Sequence, residues 1–205
     1  MNGGIFLYAC WLLWIFATFF MNKSHPKRLL ISAGSLCLLA LIGKNFSVFT
    51  YEISFTYILL LIFSYYAAGK WKGRELFFLL SSVLVGVMLY VGITLVGIVE
   101  HGLFLVDPIY CRMIGMPLLF TLLLPGISSQ KKRWIGLAVC LLLGEGLLSI
   151  ILHNVSINDP IGEMSFLDEF VLILSVMYAV NKGFVFFGIL EEKMFVEKEK
   201  PKIYE

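Results

Sequence analysis

Sixty per cent of the 205 residues are hydrophobic and only fifteen per cent are charged, and the mean hydropathy is +0.90. A water-soluble globule of this length has too little interior to hide so much apolar surface, so lipid must be the solvent for most of the chain. A formal net charge of +2 excludes the strongly basic footprint of a nucleic-acid-binding protein.

A membrane-spanning helix needs about 20 largely apolar residues, with roughly 17 to 25 tolerated. On that ruler the chain holds seven spans, in the order 4–21, 29–43, 53–68, 76–99, 109–124, 134–152 and 166–190. The first has no basic residue before its apolar run, so it reads as a retained span and not as a cleaved signal peptide. The second is short, and Lys44 just beyond it can snorkel to the interface. Pro117 lies inside the fifth, with Gly115 beside it, which allows either a break in that helix, as in transporters, or the proline kink common to membrane helices of every kind. Residues 191–205 carry five Glu and four Lys and read as a charged, solvated tail that extends the last helix by a turn or two. The fold expected is therefore all-α, a polytopic bundle of seven transmembrane helices with small loops and no soluble domain.

Direction follows from the basic residues. Thirteen of the sixteen Lys and Arg fall in the segments 22–28, 69–75, 128–133 and 191–205, which all lie on one side of such a bundle. The opposite loops hold only Lys44, while Arg112 and Lys182 lie within spans. The positive-inside rule then places the N-terminus outside and the C-terminus in the cytoplasm. Trp71 and Trp134 beside the basic segments, and Tyr51 and Tyr110 near the opposite face, suit interfacial anchors.

The sixth span carries one acid, Glu145. An ionised residue at mid-helix costs about 2.5 to 3.5 kcal/mol on the insertion scale, and each Leu, Ile or Val returns roughly 0.3 to 0.6. The span's seven Leu, three Ile and one Val are enough to offset it, so the helix can insert. A carboxylate at that depth still needs a proton or a partner. Measured from the basic end, Glu145 stands about 16 Å deep and Lys182 about 12 Å, at 1.5 Å per residue. The short 153–165 loop makes the two helices antiparallel neighbours, so Lys182 is the first partner expected and Arg112 the second. Arg112 is only about three residues below the boundary and is itself expected to snorkel to water.

Polar stripes add to this. Asp168, Ser175 and Lys182 repeat every seven residues on the last span, with Tyr178 on the same face. Ala138, Glu145 and Ser149 share a face of the sixth, and Ser82, Gly86, Tyr90 and Thr94 share one of the fourth. Such stripes mark close helix packing with interhelical hydrogen bonds, or else a polar pathway. The candidate intramembrane polar site is therefore Glu145, Lys182, Ser175, Tyr178, Ser149 and Arg112, with packing favoured over pathway.

Other chemistries lack their residues. Cys10, Cys37, Cys111 and Cys140 form no CxxC and all sit in or beside apolar runs, as small buried apolar groups. Glu100, His101, Asp107, His153, Asp159 and Glu163 gather on one side but show no ligand spacing, so no metal and no cofactor is expected. There is no HExxH, no GxSxG and no phosphate-cradling glycine loop, so no enzyme is expected. A retinal-binding reading of Lys182 fails because Tyr178 stands where an acid would be needed and the third span has no acidic counter-ion.

The run Phe6-Leu-Tyr-Ala-Cys-Trp-Leu-Leu-Trp-Ile-Phe-Ala-Thr-Phe-Phe-Met21, followed directly by a basic loop, resembles the YphA family of small multi-pass membrane proteins from spore-forming Gram-positive bacteria. The resemblance implies a bacterial plasma membrane. It supplies no catalytic residues to carry over. The function expected is a non-enzymatic membrane protein whose partners are the lipid bilayer and other membrane proteins. The alternative is a small-solute or ion transporter built on Glu145 and Lys182.

Overall fold

The computed structural model describes residues 3–198, apart from 24, 26, 49, 70, 72, 100–107, 124–129 and 156–159. Its helices are α1 (Gly4–Ile15), α2 (Arg28–Leu41), α3 (Phe55–Ala68), α4 (Arg74–Val99), α5 (Pro108–Leu123), α6 (Gln130–Asn154) and α7 (Met164–Lys198). Each of the seven apolar runs lies on one of them. Residues 75–98, 130–154 and 164–183 are long and apolar enough to cross a membrane, and the other four apolar helices are shorter. α1 continues without a gap into a π-helical segment, Phe16–Phe20, closed by the amide of Met21 donating to the Phe16 carbonyl. The tail beyond Lys198 and the loop residues Glu100, His101, Asp107 and Asp159 lie outside the described residues.

An all-α expectation misses one element. β1 (Asn45–Val48) and β2 (Tyr51–Ser54) form an antiparallel hairpin in which Asn45 faces Ser54 and Val48 faces Tyr51. Ile161, in the α6–α7 loop, adds a parallel bridge to Ile53. Its amide donates to the Glu52 carbonyl at 2.8 Å and its carbonyl accepts from the Ser54 amide at 3.0 Å. The segment Phe46–Ile53 is rich in β-branched and aromatic residues, which suit a pleated surface. The hairpin marks one end of the bundle. The opposite end carries the basic segments, where Lys132 Nζ meets Glu75 Oε2 at 2.6 Å and lies over the Trp71 ring.

Helices in lipid gain little from excluding one another's apolar surface and depend on close fit instead. The α4–α6 seam supplies that fit with glycines. A Cβ at Gly86 would stand 2.6 Å from Cys140 Sγ, and one at Gly144 would stand 2.7 Å from the Tyr90 ring. Tyr57 of α3 closes on α6 beside Gly146 and donates its hydroxyl to the Leu142 carbonyl at 2.7 Å. Phe120, Met116, Leu137, Leu141, Ile173 and Met177 fill the centre between α5, α6 and α7. A break at Pro117 does not occur, because α5 runs unbroken from Pro108 to Leu123 with the proline inside it. Cys10, Cys37, Cys111 and Cys140 are all free thiols.

Candidate functional site

Buried polar side chains of four helices converge in the hairpin-end half of the bundle. On α4, Tyr90 and Thr94 stand one turn apart on one face. Tyr90 is almost wholly buried and donates its hydroxyl to Glu145 Oε2 of α6 at 3.0 Å. Arg112, four residues into α5, donates from Nη1 to Thr94 Oγ1 at 2.6 Å. Its other edge grips Glu169 of α7, with Nη2 donating to Oε2 at 2.9 Å and Nε 2.8 Å from Oε1. The guanidinium carbon lies 5.2 Å from the centre of the Tyr90 ring, so one tyrosine touches both the acid of α6 and the cation of α5.

Successive residues on a helix point about 100° apart. Asp168 and Glu169 of α7 therefore serve different neighbours: Glu169 turns to α5, and Asp168 turns to α1. Asp168 accepts from the Gly3 amide at 2.9 Å and from the Phe6 amide at 2.8 Å. The first amides of α1 have no partner within their own helix, and α1 has no cap from its own sequence. A carboxylate on a neighbouring helix does that work, with the sign its dipole favours.

The expected Glu145–Lys182 pair is not made. Glu145 is buried against Tyr90, whereas Lys182 is exposed and its ammonium lies 5.7 Å from the Tyr178 ring centre. The depth comparison placed both groups at similar heights but could not fix the rotation of α7. That rotation turns the Phe166, Phe170, Ile173, Met177 and Asn181 face inward, so Ser175, Tyr178 and Lys182 face outward. Ser175 bonds only along its own helix, to the Val171 carbonyl. The heptad Asp168–Ser175–Lys182 is thus buried at one end only and makes no continuous polar path. Ser149 is buried on α6 one turn beyond Glu145. Arg112 does not snorkel, because Thr94 and Glu169 hold it inward. Of the six expected residues the structure brings Glu145 and Arg112 to the same cluster, with Ser149 next to it.

Glu169 is the member the sequence reading overlooked. It stands five residues into α7, and Arg112 stands four residues into α5, at the same end of the bundle. Matching those two depths would have suggested the pair. Ser82, also on the α4 stripe, bonds to the carbonyls of Phe78 and Leu79 in its own helix. The α4 stripe is therefore a packing seam that carries two interhelical hydrogen bonds at its hairpin end. Among the described residues no three His, Cys, Asp or Glu side chains gather closely enough to hold a metal ion.

The sequence profile of the YphA-like integral membrane protein family matches residues 2–202, nearly the entire length. The chain belongs to that family. No curated protein and no solved structure matches it. As a YphA-like integral membrane protein, it must satisfy its intramembrane polar groups internally, since lipid offers them no hydrogen bonds. The Thr94–Arg112–Glu169 and Tyr90–Glu145 links meet part of that demand.

Proposed function

We propose that this YphA-like protein is a non-enzymatic, seven-span protein of the bacterial plasma membrane that acts as a partner or assembly factor for other membrane proteins. Its N-terminus faces outward and its C-terminus the cytoplasm, in keeping with thirteen of sixteen basic residues on one side. The four shorter helices cross as well, α1 with its π segment and α2 and α3 with the hairpin that joins them.

One observation carries the reading. The buried charges at the hairpin end are engaged by one another and by neighbouring helices: Arg112 by Glu169 and Thr94, Glu145 by Tyr90, and Asp168 by the start of α1. A transport or catalytic acid has to exchange partners with water or substrate. A packed, hydrogen-bonded acid holds helices in place, which leaves the outer surface of the bundle to do the work. On that surface α1 and its π segment expose Tyr8, Trp11, Phe16, Phe19 and Phe20, and aromatic side chains are enriched at protein–protein interfaces in general.

The test pairs two measurements. A photo-reactive amino acid at Phe16 or Phe19 in the native membrane should give a discrete protein adduct, while the same probe at buried Phe120 should not. The Glu145→Gln variant, if folded, should keep the adduct. Solute or ion flux in proteoliposomes that Glu145→Gln abolishes, with only lipid adducts at Phe16 and Phe19, would overturn the proposal in favour of transport.

A further inference from the structure

At the basic end, the π segment of α1 and the first turns of α2 enclose an open cleft of about 390 Å³. That falls in the range of small-molecule sites, roughly 300–1,000 Å³. The basic side chains of Lys23, His25 and Arg28, the hydroxyl residues Thr18 and Ser32, and the apolar Leu36 line it. The two hydroxyls lie 3.4 Å apart, so both can address one ligand group.

Arg28 is positioned before any ligand arrives. Its Nε donates to the Ala17 carbonyl at 3.0 Å and its Nη2 to the Thr18 carbonyl at 2.7 Å. These carbonyls sit at the end of the π segment, where helix carbonyls lack partners of their own. The guanidinium is thereby locked in orientation, and its Nη1 has no partner among the described residues. The cleft also opens at the N-terminus of α2, where the helix dipole favours an anion.

We propose that this cleft is a binding site for a phosphate group. Three basic side chains and two hydroxyls can supply donors of the kind that phosphate oxygens accept, and a pre-oriented arginine makes the strongest of these contacts. The wall at Leu36, and Leu29 beside it, is exposed and apolar. A phosphate that carries an acyl chain therefore finds a surface for its tail as well as its head. Soluble phosphate esters share the headgroup chemistry but not the tail. The site does not depend on the partner role proposed above.

Full-length protein in neutral detergent would be titrated with phosphatidylglycerol, with phosphatidylcholine and with glycerol 3-phosphate, and binding read by native mass spectrometry and by thermal shift. Because Arg28 also caps α1, the variants are Lys23→Gln/His25→Gln and Ser32→Ala, with Lys132→Gln as a basic-end control outside the cleft. Saturable phosphatidylglycerol binding that weakens about tenfold in the double variant and not in the control supports a lipid-headgroup site. The same dependence for glycerol 3-phosphate, with no preference for the lipid, supports a soluble phosphate ester. Equal binding of both lipids, or equal loss in the control, overturns the proposal.

Discussion

Replacing Arg112 with Met removes the guanidinium and keeps a flexible apolar side chain of similar reach. The variant loses three polar contacts: two to Glu169 and one to Thr94. Side-chain hydrogen bonds inside membrane proteins average about 0.6 kcal/mol and reach about 1.7, so the two made by Arg112, to Thr94 and to Glu169 Oε2, give roughly 1–3 kcal/mol. Breaking one side of a buried ion pair costs roughly 3–5 kcal/mol by a separate route, and the two figures meet at about 3 kcal/mol. Both side chains are only 10% exposed, so solvent screening takes little from either figure. The double variant Arg112→Met/Glu169→Met removes the stranded acid too and should recover more than half of the loss. Unfolding by SDS titration from lipid–detergent micelles, followed by circular dichroism, measures all three proteins. An Arg112→Met variant within about 0.5 kcal/mol of the native protein would refute the reasoning, as would a double variant whose cost is the simple sum of the singles.

Gly144→Ala should destabilise the bundle by about 1–3 kcal/mol, because its methyl would press on a Tyr90 ring already fixed by Glu145; the same titration reads it. Asp168→Ala should loosen α1 by about 1–2 kcal/mol, the cost of losing a helix cap. Faster mass-spectrometric labelling of buried Cys10 checks it, and an unchanged rate would count against the interhelical cap. Lys132→Gln should change stability by less than about 0.5 kcal/mol, since its pair with Glu75 is largely exposed.

The helical layout was legible because a run of some 20 apolar residues has few other homes than a bilayer. Each such run lies on a helix here, and the tail's charged start continues α7 to Lys198. The buried cluster was only half legible. Tyr90, Thr94, Glu145 and Arg112 stood out as polar groups in apolar surroundings, but their pairing depends on helix rotation, which hydropathy does not encode. Lys182 shows the difference, since a residue at the right depth on the wrong face meets no acid. Pro117 left two readings open for a related reason. A proline removes one backbone donor from its helix, and in a packed bundle neighbouring groups can absorb that loss without a break. The hairpin was hidden because its eight strand residues are too few to show a period beside two apolar helices.

The stretch from Ile161 to Glu169 bridges β2, caps α1 through Asp168 and grips Arg112 through Glu169. A ribosome delivers these nine residues after all of the elements they fasten. During synthesis α1 is therefore made before its cap, Arg112 before its acid, and the hairpin before its bridge to Ile161. Completion comes as a single late event, and until then the nascent bundle leaves these polar groups without their partners. Chains truncated before Ile161 should be degraded even though six of the seven helices have already been made.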